Sequence, residues 1–404
     1  MKIAFVLLGE SSVGGADKRF ANLFNYLIIN DHTHSFYFII SRNKYESIRK
    51  TVQNFSHRNI IIIENRVKKS VPGSKPGGMV VAGSRAYKYP KWIKRLLSLI
   101  IIWVELIKNS WGLYCIVRKY KIDILHTLWK GAFAAAFLKL FYKKPFHVLT
   151  YMDVYCERIS KKIIDIPISY ALSLKNADHI DFLGSTYLEE LQKNGFTFCN
   201  EKISVSPCSF IDTSSFSMNT FSEKENLVIF ASRLVPKKNP FLFIEIAEQI
   251  LNKREDINFE IHGRGDLESE IKYRLKTKGM EGKIKIVFSE NMSEVFARSK
   301  ILLSLQDIEN YPSQSVLEAM YYRNIVIASN TGETGKLVTS DTGFLTSSDP
   351  NSITDKIEFV IDNPEYTRDM ASNAHEFVMI NHRIEIFAKY ILDIYSHFEQ
   401  AQHN

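Results

Sequence analysis

Two stretches of the chain set charged and amide side chains directly against apolar runs, which is where a bound anion or hydroxyl can be met. In LVIFASRLVPKKNP the apolar run is followed at once by Arg233, Lys237, Lys238 and Asn239. A diphosphate leaving group needs cations where its charge develops, and Arg233 with a lysine five residues later, Lys238, supplies two. Taken alone, such a stretch reads equally well as a solvated basic loop. In SLQDIENYPSQSVLEAM, Glu309, Asn310 and Glu318 lie around a turn and the start of a helix. A carboxylate there accepts hydrogen bonds from sugar or ribose hydroxyls, and Ser313, Gln314 and Ser315 offer N–H and hydroxyl donors. Singly, each acid would more often be a cap or a surface residue. Two glycine turns complete the set: Gly14 and Gly15 after the first apolar run, and His262-Gly263-Arg264-Gly265-Asp266 further on. Paired glycines let backbone N–H groups approach a phosphate or sugar, and a following helix N-terminus favours negative charge.

The elements that must position these residues are legible as alternating β-rich runs and helical patterns, the signature of parallel βαβ units. Strands are expected at Lys2 to Leu8, Ser35 to Ser41, Asn59 to Ile63, Ile122 to Thr127, His147 to Tyr151, His179 to Leu183 and Ile203 to Ser206. The pattern restarts after the polar stretch from Asp212 to Asn226, with strands at Leu227 to Ser232, Ile257 to His262, Ile284 to Phe288, Ile301 to Leu305 and Ile325 to Ser329. Several are nearly continuous Ile, Val, Leu and Phe, as strands covered on both faces require. The tail from about Glu365 reads as helices, and the stretch from Ser70 to Ser84, with its Gly, Pro and Ser, as a loop.

A chain of 404 residues with 45% hydrophobic and 24% charged residues exceeds what one core usually holds, so two domains are expected. Cys115, Cys156, Cys199 and Cys208 form no C-x-x-C pair and no metal-ligand spacing, which fits a reducing compartment. MKIAFVLLGE is too short for a secretory signal and reads as a buried first strand. From Asn65 to Val104 there are nine basic residues and no acidic one. No nucleic-acid module accompanies them, so nucleic acid is not expected, and a membrane surface is the better partner. The longest apolar run, Leu96 to Ile107, contains Ser98 and Glu105 and is too short to span a bilayer. As a helix it either lies in a membrane interface or packs in the first core with a solvated basic end.

In their order and spacing these motifs resemble the family-4 group of retaining GT-B glycosyltransferases, over nearly the whole chain and most closely in its second half. SRLVPKKNP resembles the family's G/S-R-L-x-x-x-K-G segment, which aligns Arg233 and Lys238 with the pair that binds the donor diphosphate. ENYPSQSVLEAM resembles its E-x7-E segment, aligning Glu318 with the glutamate that contacts ribose. Weaker matches are Gly14 and Gly15 with the first glycine-rich loop, SVSPCSFID with I-x-V-I-P-N-G-V-D, and Gly343-Phe344-Leu345 with a late N-G-F-L. Two positions depart from the pattern. The first place of E-x7-E falls on Asn310, with Glu309 one residue out of register. In Thr150-Tyr151-Met152-Asp153, Met152 stands where many relatives have a histidine, leaving Asp153 and Tyr151 nearby. His126, in DILHTLW, matches a recurrent family histidine, although a lone histidine at a strand end is more often structural.

The resemblance implies an α/β GT-B fold, two Rossmann-like doubly wound domains facing a central cleft. Residues 1–215 would form the acceptor side, 216–385 the nucleotide-sugar side, and 386–404 a helix packing back on the first domain. It implies transfer of a sugar from a nucleoside diphosphate sugar to a saccharide or lipid-linked acceptor, with retention. Arg233, Lys238, Glu309, Asn310 and Asp153 would be catalytic. Gly14, Gly15, Gly263, Arg264, Ser313, Gln314, Ser315 and Glu318 would hold the donor, with His126 and Tyr151 as acceptor or sugar contacts. No essential metal or other cofactor is expected, and the location would be cytoplasmic, peripheral on the inner face of a membrane through Arg85 to Ile107. Two alternatives stay open: a non-catalytic sugar-nucleotide-binding subunit, to which Asn310 and Met152 point, and a GT-B sugar-nucleotide epimerase. A nicotinamide dehydrogenase is disfavoured, because the full glycine fingerprint and the acid about twenty residues later are missing.

Overall fold

The structure, a computed structural model, describes residues 1–9, 13–52, 54–64, 91–152, 165–211, 221–289 and 292–403. Asp153, the expected loop from Ser70 to Ser84, the stretch Arg85 to Pro90 and the expected boundary at 215/216 lie outside the described residues.

Two parallel sheets organise the chain. The first holds β1 (Lys2–Leu8), β2 (Ser35–Ser41), β3 (Ile60–Ile63), β4 (Ile124–Leu128), β5 (Phe146–Tyr151), β6 (His179–Phe182) and β7 (Ile203–Val205) in the order β3-β2-β1-β4-β5-β6-β7. The second holds β8 (Glu225–Ala231), β9 (Asn258–His262), β10 (Ile284–Val287), β11 (Ser299–Ser304), β12 (Ile325–Ser329) and β13 (Gly343–Thr346) in the order β10-β9-β8-β11-β12-β13. Each sheet reverses its strand order once, between β1 and β4 and between β8 and β11, which makes two doubly wound, Rossmann-like α/β domains. Strand β13 was not among the expected ones. It has four residues, opens on a glycine and shows no alternation, so only its pairing with β12 defines it.

The central strands are largely apolar because helices cover both their faces. In the first sheet Phe5 packs against Phe20, with ring centroids 4.8 Å apart, and against Phe38 at 6.1 Å. In the second, Phe230, Phe243, Ile261 and Leu303 form one layer, and Ile229, Leu302, Leu317 and Val326 the other. Lys224 is buried, yet its Nζ donates to the carbonyls of Phe296 at 2.6 Å, Ala297 at 3.0 Å and Ser299 at 2.8 Å. It thereby satisfies carbonyls that the end of helix Met292–Arg298 leaves open.

Contacts divide the chain into two compact units: Met1–Tyr151, Tyr155–Asp181 and Phe198–Ser204 in one, and Met152–Val154, Phe182–Thr197 and Val205–Asn404 in the other. The terminal helix Ile384–His403 belongs to the second, where Phe387 meets Phe210 with centroids 5.2 Å apart. No described helix is long and apolar enough to cross a membrane.

Candidate functional site

The switch point of the second sheet gathers most of the expected residues. After β8 the chain passes Ser232 and exposed Arg233, then makes a short 3-10 turn, Pro236–Lys238. Asn239, in the left-handed conformation at φ 49°, leads into helix Pro240–Leu251. That turn is tied to the loop after β11 by the Asn239 amide, which donates to Asp307 Oδ1 at 2.5 Å, and by the Lys238 ammonium, which donates to Asn310 Oδ1. Ser232, Lys238, Ser304, Gln306, Asn310 and Ser315 line a small cavity there, above Phe230 and Leu303. Burial, reinforced by Lys237 and Arg233, lowers the Lys238 pKa to about 7. The site therefore holds an amine whose charge is incompletely compensated and which an anion would stabilise.

Gly263 and Gly265 shape this loop from the side. A Cβ on Gly263 would overlap the carbonyl of Ser232, and one on Gly265 the carbonyl of Leu234. The two segments interlock through Ser232 N–H to the His262 carbonyl at 3.2 Å, Leu234 N–H to the Arg264 carbonyl at 3.0 Å and Leu267 N–H to the Leu234 carbonyl at 3.1 Å. Within this structure Gly263 thus positions the Arg233 loop by close backbone approach. Arg264 is exposed and stacks over the ring of Phe288, 3.8 Å from its centroid.

The loop between β11 and helix Gln314–Tyr321 separates Glu309 from Asn310. Glu309 Oε1 accepts from the N–H groups of Asn310 at 2.8 Å and Tyr311 at 2.7 Å, and its Oε2 from Glu333 N–H at 3.0 Å. Gly332, at φ +51°, leaves room for that carboxylate, which a Cβ would overlap. Glu309 is therefore turned into the backbone of two loops, while Asn310 faces the cavity. Ser313 precedes the helix; Gln314 Nε2 donates to Glu318 Oε1 at 3.1 Å, and Ser315 and Glu318 lie one turn apart. Glu333, missed in the sequence, braces this region. Its carboxylate accepts from Ser185 Oγ at 2.9 Å, from Thr186 N–H at 3.2 Å and from Lys336, while Tyr187 OH donates to the Tyr311 carbonyl at 2.9 Å. Burial would raise its pKa, but Lys336 and these donors outweigh it and hold the carboxyl below its ordinary value.

The expected residues of the first sheet have a different setting. Gly14 precedes helix Gly15–Asn30, and its N–H donates to Asp17 Oδ2 at 2.8 Å; buried Lys44 meets the same oxygen at 2.9 Å. The helix thus supplies its own carboxylate to its first turn. His126 is buried on β4, with Nε2 2.7 Å from Thr150 Oγ1 and its ring edge-on to Phe20. Burial, then Arg19, lowers its pKa to about 3, so its ring is neutral in this structure. Tyr151 is buried too, its ring 6.3 Å from that of Tyr170.

The second sheet is doubly wound and carries a lysine–amide cluster, an exposed arginine and a helix start at its switch point, the place beyond the carboxyl ends of the strands where α/β proteins of this class bind their ligands. Residues 212–377, the stretch that holds the second sheet, match the family model described as glycosyl transferases group 1. Over 209 residues, 49% of this chain and 55% of the relative, the sequence is 30% identical to the GalNAc-alpha-(1->4)-GalNAc-alpha-(1->3)-diNAcBac-PP-undecaprenol alpha-1,4-N-acetyl-D-galactosaminyltransferase of Campylobacter jejuni. Over 178 residues, 43% of this chain and 36% of the relative, it is 24% identical to the poly(ribitol-phosphate) alpha-N-acetylglucosaminyltransferase of Staphylococcus aureus. The chain thus spans about half the length of the first relative and about a third of the second. Among solved structures, HepE of Anabaena in complex with UDP and glucose superposes with a TM-score of 0.71 over 98% of this chain and 99% of that one, at 16% identity. The fold is GT-B, as the sequence resemblance implied.

Proposed function

We propose that the chain is a glycosyltransferase that moves a sugar from a nucleoside diphosphate sugar to an acceptor hydroxyl, in the synthesis of a surface polysaccharide or glycolipid. The observation that carries the proposal is the meeting of Lys238, Asn310 and Ser315 at the β8/β11 switch, beside Arg233. The acceptor oxygen forms a bond to the anomeric carbon as the bond to the diphosphate oxygen breaks, the electron pair leaves on the diphosphate, and the hydroxyl proton passes to the departing diphosphate oxygen. Arg233 and Lys238 stabilise that developing charge, Asn310 and Ser315 orient the donor beside them, and Glu318 holds the ribose. Retention of configuration, independence of a divalent metal and a role for Asp153 belong to the same reading and rest on the family resemblance. Uridine diphosphate is the nucleotide to try first, since the HepE structure holds it, and a polyprenyl-linked saccharide the acceptor, since the Campylobacter relative is named for one.

Arg233→Ala and Lys238→Ala should each cost about 2 to 4 kcal/mol of transition-state stabilisation. The test is a melting-temperature screen against UDP, GDP, ADP, CMP and their sugar conjugates with EDTA present, followed by donor hydrolysis and transfer assays. Unchanged turnover in both variants would overturn their assigned roles. Because an amide stands at Asn310, a binding subunit is the second reading, and nucleotide binding without hydrolysis or transfer would select it.

A membrane surface is part of the proposal. The sequence reading placed it at Arg85 to Ile107. On helix Lys91–Tyr120, Ile100, Val104, Ile107 and Trp111 recur at helical spacing and are all exposed, Trp111 to 61%. Exposed Leu140 and Phe141 lie beyond the neighbouring helix, Tyr114 joining the two groups with its ring 5.3 Å from Trp111 and 6.0 Å from Phe141. Exposed Lys108, Arg118, Lys143 and Lys144 accompany them, and Glu105, the helix's one acid, is engaged by Lys130 at 3.6 Å. An apolar stripe with basic neighbours complements an anionic bilayer, whereas two copies face to face would bring like charges together.

A further inference from the structure

Gln306 is 2% exposed, immediately after β11, and lines the cavity shared by Lys238, Asn310 and Ser315. Its Oε1 accepts from Ser304 Oγ at 3.0 Å, and its Nε2 has no hydrogen-bond partner among the described residues. A buried amide donor left without an acceptor costs free energy, and a protein optimised for stability alone would carry an apolar side chain of the same shape there. The cost is explained if the acceptor arrives with a ligand. We infer that Gln306 is a donor-binding residue whose amide N–H is held ready for an oxygen of the bound nucleoside diphosphate sugar, either a phosphoryl oxygen or a sugar oxygen. Apolar Phe230 and Leu303 form part of the same wall, so water competes weakly for that bond once the cavity is filled. Gln306 also complements Lys238 and Asn310: the ammonium spends one of its three donors on Asn310 Oδ1, and the Gln306 amide adds a neutral donor without further positive repulsion.

The inference rests on the transferase reading only in the identity of the ligand, and its signature has two parts of opposite sign. Gln306→Met keeps the length and removes the orphaned donor. The unliganded variant should therefore melt at or above the wild-type temperature while binding the ligand about tenfold more weakly. Gln306→Glu should weaken binding further, because its carboxylate faces an acceptor oxygen. The experiment measures the melting temperature without ligand, then calorimetric affinity for the nucleoside diphosphate that wild type binds and for its sugar conjugate. Equal losses with both ligands assign the contact to the phosphates, and a loss confined to the conjugate assigns it to the sugar. Gln306→Met binding both ligands as wild type does, or losing thermal stability along with affinity, overturns the inference. Wild type that binds no nucleotide in the panel overturns the transferase reading instead.

Discussion

Lys238 carries the chemistry proposed for this site, and its protonation should govern ligand affinity. An unfolded lysine titrates near 10.5, whereas burial and the adjacent Lys237 and Arg233 lower this one to about 7. Between those values the unfolded chain binds a proton that the folded chain lacks, so the contribution of Lys238 to stability increases as pH rises across the window. Ligand binding has the opposite sign, because a diphosphate prefers the ammonium. Affinity should hold below about pH 7 and fall about tenfold per pH unit above it, with proton uptake on binding. Titration calorimetry in buffers of different ionisation enthalpy reads both quantities. Lys238→Arg, whose guanidinium stays charged, should abolish the break. A flat profile in the wild type through about pH 9 would show that the lysine does not titrate as its surroundings require. Asn310 is part of this balance, since an amide opposite Lys238 leaves the lysine depressed where a carboxylate would favour its charge.

Helix Lys91–Tyr120 illustrates how an element carries two faces with different partners. Leu106, Leu113 and Val117 face the core with Ala134 and Leu138, while Ile100, Val104, Ile107 and Trp111 face outwards. If that outer stripe meets lipid, the protein should co-float with vesicles containing phosphatidylglycerol at low salt and not with pure phosphatidylcholine. Ile107→Ser with Trp111→Ser should reduce partitioning by about tenfold or more. Both side chains are exposed, so the melting temperature should hardly change. Absence of flotation in low salt would remove the membrane surface from the proposal, as would wild-type flotation of the double variant. In the second sheet the corresponding lesson concerns turns: Gly263 and Gly265 let two strand-end loops interlock, and that interlock sets where Arg233 emerges.

At the level of the whole molecule, the candidate donor site is built within the unit that contains β8 to β13. A bound nucleoside diphosphate should therefore slow amide exchange at Ser232 to Asn239 and Gln306 to Ser315 without altering the core strands β1 and β4. Exchange measured by mass spectrometry with and without nucleotide tests this, and protection confined to the β1–β4 region would move the site to the first sheet. The same unit draws in Phe182–Thr197, whose Ser185 and Thr186 bind Glu333 and whose Tyr187 binds the Tyr311 carbonyl. The loop bearing Asn310 is thus braced by residues more than a hundred positions earlier.

Much of the architecture could be read before any coordinates, because strands buried on both faces are mostly apolar and those runs are local. Twelve strands were expected on that basis, while β13 needed its neighbour to be recognised. The sequence also determined that Arg233, Lys238, Asn310 and Ser315 follow strands, the places where doubly wound sheets bind ligands. Spacing could not decide between Glu309 and Asn310, which are adjacent in the chain. In the structure three N–H groups, one of them from Glu333, turn Glu309 inward and leave Asn310 at the cavity. Nor could it show that His126 is sealed among aromatic rings or that Gln306 is buried with an unused donor. Each is a property of burial and partner geometry between segments far apart in sequence, which only tertiary packing sets.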